Sequence, residues 1–193
     1  MSKKANAFTI VELLIVIVVI AILAAISIVA YTGIQGRARD AQRLQDMKTI
    51  SQALETYKTL NGNYPNRIAT DGADGFETST DGTSPTNFLS SLVSSPVGIS
   101  SVPVDPVNKV SSVGTGTTWL SPYRSGGHYM YFYVRYNPGA NGCDVSRGYY
   151  YVLGVTRMDT VPSGSAHPQS PGFACTGRDW AGRGTWVTGG YVN

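Results

Sequence analysis

Charge is scarce in this 193-residue sequence. Asp, Glu, Lys and Arg together make up 14 % of it. That excludes a highly charged helical bundle and, with 22 glycines, favours a loop-rich or β-rich body. An excess of one sign is also lacking. The net charge is +3, and from residue 61 onward eight Lys/Arg balance eight Asp/Glu. A neutral body of this kind has no concentrated basic surface for bulk nucleic-acid binding. Histidine is limited to His128, at a strand start, and His167, in a Gly/Pro/Ser loop. No Cys–His, Ser–His–Asp, metal-ligand or phosphate-loop spacing is present. Gly114-Thr115-Gly116 lacks the flanking strand and helix of a nucleotide loop. Neither catalysis nor a cofactor is expected. There are two cysteines, Cys143 and Cys175. By number alone they admit a disulfide or two free thiols.

Hydrophobic residues, by contrast, are concentrated at one place. From Leu13 to Ala30 the only polar residue is Ser27, and thirteen of these eighteen residues are Leu, Ile or Val. As a helix the run is about 27 Å long, close to the hydrocarbon thickness of a bilayer. Thirteen such residues at about −0.5 kcal/mol each outweigh one acid at about 3 kcal/mol, so insertion is favoured. A cleaved secretory signal has a shorter apolar region. Here the helical pattern also continues past it: Ile34, Ala38, Ala41, Leu44, Met47, Ile50, Leu54 and Tyr57 recur every three or four residues. Asn61-Gly62 then supplies a stop. Residues 8–60 therefore read as one helix about 80 Å long. Its 8–31 half is apolar all round, and its 32–60 half is amphipathic with one face for a head. A membrane-bound N-terminus implies export of the head, and export favours the Cys143–Cys175 disulfide. That bond closes a loop worth about 3–4 kcal/mol in the chain-entropy model.

Glu12 stands at the edge of the apolar run. An ionised carboxylate there is costly unless solvated by headgroups or paired. No basic residue lies one helical turn away in this chain. A cation from another chain is the sharper expectation.

The string Ala7-Phe8-Thr9-Ile10-Val11-Glu12-Leu13-Leu14 and the apolar run resemble the class III leader of type IV pilins and the related pseudopilins of type II secretion. Residues 1–7, with Lys3 and Lys4, then correspond to a leader peptide. The resemblance implies that a prepilin peptidase cuts between Ala7 and Phe8 and methylates the new Phe8 amine. It implies that Glu12 neutralises the N-terminal amine of a neighbouring subunit during assembly. It further implies an α+β pilin fold, a helical homopolymer, and an inner-membrane assembly platform with its ATPase. The precursor would lie in the cytoplasmic membrane and the assembled filament at the cell surface. Ala7 stands where the family usually has Gly. Ala21 and Val29 stand where many members have Gly and Pro. Gly33 and Gly36 are then the candidate hinge, or else close-packing sites.

The head is expected to be α+β, a long helix packed on a small antiparallel sheet. Residues 61–127 are loop chemistry, rich in Gly, Ser, Thr, Pro and Asp. One short helix is predicted at Pro85–Ser94, capped by Ser84, with an irregular stretch at 97–122. Within 128–193, strands are predicted at His128–Tyr136, Tyr149–Arg157 and Thr185–Val192, the last bent at Gly189-Gly190. The first would place Met130, Phe132, Val134 and Tyr136 on one face and Tyr129, Tyr131, Tyr133 and Arg135 on the other. Asp105-Pro106 before a Tyr-rich strand is similar to a loop of the major pseudopilins where calcium can bind. Asp105 is therefore a candidate calcium ligand, although Asp71, Asp74, Glu77 and Asp81 nearby fit no EF-hand pattern and acids in such loops are usually turn formers. Three functions fit: a pilus subunit for adhesion or motility, a pseudopilin of a secretion or DNA-uptake machine, and a single-pass anchored binding protein that does not polymerise.

Overall fold

The apolar run and the amphipathic stripe form one helix, α1 (Ile10–Asn61), of 52 residues and about 78 Å. The computed structural model describes residues 9–66, 76–79, 88–94, 96–97, 99–109 and 127–193. Gly62 ends α1 in the left-handed conformation, φ 72°, its N–H donating to Lys58 O at 2.8 Å. Glycine takes that conformation without the steric penalty of a Cβ.

Four strands form the main sheet: β1 (Glu77–Thr78), β2 (Tyr131–Tyr136), β3 (Tyr150–Val155) and β6 (Trp186–Tyr191), in the order β1-β2-β3-β6. All neighbours are antiparallel. A two-residue pair, β4 (Ala174–Cys175) with β5 (Arg178–Asp179), stands beside it. The three long strands sit inside the predicted ones, β3 and β6 trimmed at both ends and β2 at its start. β1, β4 and β5 are too short for any hydrophobic period to mark. A helix, α2, occupies Ser90–Ser94, shorter than the predicted Pro85–Ser94; positions 84–87 lie outside the described residues. Asp71, Asp74 and Asp81 also lie outside them.

Alternation along β2 and β3 divides the core in two. Tyr131, Tyr133, Tyr151 and Leu153 face α1 and pack with Met47, Ile50, Ala53 and Leu54. Met130, Phe132, Val134, Val152 and Val187 face away and are covered by Phe76 and Trp180. Both faces are thus dry. Burying a phenol requires a partner for its hydroxyl. Tyr131 finds Asp46 (2.7 Å), Tyr133 the Pro65 carbonyl (2.8 Å) and Tyr64 Glu55 (2.8 Å). These tyrosines serve the core and not a surface. Cys143 is joined to Cys175, tying the β2–β3 connection to β4.

Gly189 and Gly190 do not bend the chain. They pair in register with Val152 and Tyr151 of β3. Glycine is needed because a Cβ on Gly189 would lie 2.5 Å from the Phe173 ring and 2.7 Å from Tyr151 O. Gly189→Ala is expected to cost about 1–3 kcal/mol through overpacking. Thermal unfolding of the full chain in detergent measures this. Gly33→Ala is the control, since nothing lies within 4 Å of a Cβ there.

Candidate assembly helix and its anchorage to the head

The first turn of α1 is closed by its own side chains. Thr9 is the N-cap. Its N–H and its hydroxyl both donate to Glu12 Oε2 at 2.8 Å, and Glu12 N–H donates to Thr9 Oγ1 at 3.3 Å. This reciprocal arrangement is a capping box, and Thr9-x-x-Glu12 is its sequence signature. A search for a basic partner alone passes over it. Among the described residues no cation pairs with Glu12. Ala7 and Phe8, the residues of the expected cut, lie outside the described residues.

Beyond the cap the helix is bare. Every Leu, Ile and Val from Ile10 to Ile28 is exposed, the least of them Val18 at 47 %. Ser27 is satisfied internally, its hydroxyl donating to Leu23 O at 2.7 Å. An apolar surface of this extent is unstable in water and requires lipid or protein around it.

The apolar surface also runs further than the stripe predicts. Ile34 is 64 % exposed, and Ala38 and Ala41 are exposed as well. These three were expected against the head. Met47, Ile50 and Leu54 of the stripe do face the head, but ahead of them the helix turns Gly36, Asp40 and Arg43 inward in their place, on the side opposite Ile34, Ala38 and Ala41. Tyr31, Ile34, Ala38 and Ala41 consequently face away from the head.

What the head meets at this level is charge. The Arg43 side chain is wholly buried. Its Nε and Nη2 donate to the two oxygens of Asp105 at 2.8 and 3.1 Å, and its Nη1 to Asp40 Oδ1 at 2.7 Å and Asp159 Oδ2 at 2.6 Å. The Tyr129 ring lies over the guanidinium, 5.0 Å from Cζ to centroid. Arg39 adds a second cation at 2.9 Å from Asp159. Asp40 also accepts from the N–H groups of Asp159 (2.8 Å) and Thr160 (2.7 Å). The loop after β3 is thereby held on the helix, close enough that a Cβ on Gly36 would lie 3.3 Å from Asp159 Cβ. Gly36 thus sits at a close approach, whereas Gly33 is open; α1 runs unbroken through both.

Electrostatics follow the geometry. Burial alone would weaken the charge on Arg43, but its bonds to Asp105, Asp159 and Asp40 outweigh that and strengthen it. Burial would likewise raise the Asp159 carboxyl. Hydrogen bonds from Arg39 and Arg43 overcome it and hold the group below the usual Asp range. Asp46 goes the other way, raised chiefly by burial despite the Tyr131 hydroxyl. Asp105, the candidate calcium ligand, spends its oxygens on Arg43 and on the N–H groups of Val107 and Asn108. Among the described residues no three His, Cys, Asp or Glu side chains come together to hold a metal.

A bare apolar helix that continues into an amphipathic half carrying a head is what the leader string and the pattern behind it implied. Residues 2–28 match the family model described as the prokaryotic N-terminal methylation motif. The chain carries the class III leader of type IV pilins and pseudopilins. That motif supports a pilin- or pseudopilin-like protein, and the apolar helix behind it fits a membrane-anchored precursor. No curated protein matches the chain, and no solved structure does.

Proposed function

We propose that the mature chain, beginning at a methylated Phe8, is the structural subunit of a type IV pilus. The observation that carries this reading is the helix that is bare on every side from Ile10 to Ile28 while the head completes both its cores without it. A head that needs nothing from the first half of α1 leaves that half for lipid before assembly and for neighbouring subunits after it. Burial of this surface among like helices supplies the driving force, and Glu12 the register, by pairing with a neighbour's Phe8 amine. Prepilin peptidase releases that amine, and an assembly platform with its ATPase lifts the subunit from the cytoplasmic membrane into a surface filament for adhesion or motility. A pseudopilin would use the same helix in a shorter polymer.

Mass spectrometry of the protein from its own cells, with electron microscopy of a deletion strain, tests the reading. Expected are a mature mass starting at N-methyl-Phe8 and loss of surface filaments on deletion. An intact Met1 would instead mark a single-pass anchor. A processed chain whose deletion leaves surface filaments unchanged but stops secretion or DNA uptake would mark a pseudopilin.

A further inference from the structure

A small polar cavity of about 220 Å³, lined by Asn66, Arg135, Tyr136, Asn137 and Ala140, lies at the end of the sheet farthest from the apolar helix. Arg135, near the end of β2, fixes its place: Nη1 donates to Tyr64 O at 2.9 Å, just beyond the stop of α1 at Gly62. The walls are held from behind. Pro65, beside Asn66, has its carbonyl bound by the Tyr133 hydroxyl. The Ala140 carbonyl accepts from the Tyr150 hydroxyl at 3.0 Å and from Cys143 N–H at 3.1 Å, and Ala140 N–H donates to Asn137 O at 3.2 Å. The disulfide anchors Cys143 in turn. The mouth of the cavity is therefore built before any ligand arrives, which removes most of the ordering cost of binding.

Arg135 differs from the arginines of the clamp. Among the described residues the one hydrogen bond of its side chain goes to a neutral carbonyl, and no carboxylate lies within ion-pair distance of it. The Tyr149 ring lies beside the guanidinium, 4.8 Å from Cζ to centroid. A planar cationic fork with donors to spare is the side chain best matched to a carboxylate. The exposed amides of Asn66 and Asn137 beside it each offer both a donor and an acceptor, the pairing that a ring hydroxyl needs. The cavity is smaller than the roughly 300–1,000 Å³ of drug-sized sites, so it suits one ring and not an extended ligand.

We propose that this cavity binds one unit of an acidic saccharide, with Arg135 holding the carboxylate of a uronic acid and Asn66 and Asn137 its hydroxyls. The site stands beyond the stop of α1, at the far end of that helix from its apolar half.

Calorimetric titration of the full chain in detergent with glucuronate, glucose and acetate tests this. Glucuronate is expected to bind at least tenfold more tightly than either of the others. Arg135→Gln should weaken it tenfold or more. Because the bond to Tyr64 could matter for folding, Asn137→Asp is the second variant. It sits at an exposed position, sets a carboxylate opposite the ligand's own, and should abolish glucuronate binding with the unfolding transition unchanged. No binding of glucuronate to the folded chain, equal binding of glucose or acetate, or undiminished binding in Asn137→Asp would each overturn the proposal.

Discussion

Glu12→Gln should stop filament growth as completely as Glu12→Ala, while leaving the helix start intact. The two substitutions separate the two roles that Glu12 now carries. Gln serves as well as Glu at the third helical position of a capping box. Glu12→Gln therefore keeps the reciprocal bonds with Thr9 and removes only the charge. Glu12→Ala removes both. If the carboxylate's function is to neutralise a neighbour's Phe8 amine, both variants leave membrane precursor at normal abundance and no filaments. If its function is the cap alone, Glu12→Gln assembles and Glu12→Ala fails. Immunoblots of the membrane fraction together with filament counts by electron microscopy read the difference. Thr9→Ala completes the set: it breaks the box from the other side, at about 1 kcal/mol for a lost N-cap, and leaves the charge in place. It should still assemble. Filaments in the Glu12→Gln strain at wild-type density would sink the pairing role.

How far the sequence foretold this structure depends on the range of the interaction. The all-round apolar run, the three-four spacing and the Asn61-Gly62 stop are local signals, and α1 follows them to within two residues at its start and one at its end. The alternation in β2 is local too, and it placed Tyr131 and Tyr133 opposite Met130, Phe132 and Val134. What covers the second face was not legible. Phe76 and Trp180 reach it from loops far away in sequence, and no periodicity marks a residue that packs alone. The same holds at Ile34, Ala38 and Ala41. Their spacing promised a seat on the head, but at that level the head offers Asp105 and Asp159, 62 and 116 positions from Arg43. Polar groups choose partners by geometry, so the helix rotates its charged edge inward and leaves the apolar one outside. Gly189-Gly190 misled for a related reason. The dipeptide looks like a bend, yet the Phe173 ring that demands a missing Cβ comes from a separate loop. At the leader the signal was a short string and survived intact. Within it, the Thr9–Glu12 cap is marked by its Thr-x-x-Glu spacing and not by charge.

Arg43→Ala is expected to loosen the head from the helix by about 3–5 kcal/mol, the usual cost of removing one partner from a buried ion pair. Three carboxylates depend on this guanidinium, and only Asp159 has a second cation, Arg39. With Arg43 gone, Asp105 is left buried and uncompensated. For a domain of this size the loss corresponds to a melting point about 6–20 °C lower, measurable by circular dichroism of the full chain in detergent. Arg43→Lys should recover only part of it, since an ammonium cannot bond both Asp105 oxygens and two further carboxylates as the fork does. The pH profile gives a second readout. In the folded chain the Asp159 carboxyl is held below its ordinary value near 3.9. The stability this contributes is complete above that value and lost as pH falls through the folded one. Asp46, raised by burial, works in the opposite sense: its penalty is present at neutral pH and relieved on acidification. Between pH 5 and 3 the wild-type chain should therefore begin to lose the Asp159 contribution, with the relief at Asp46 opposing it. Arg43→Ala should lose less over the same interval, because Arg39 alone still holds Asp159. A variant that melts as the wild type does at pH 7, or falls as steeply between pH 5 and 3, would show that the hydrophobic contacts at Met47, Ile50 and Leu54 hold the head without the clamp.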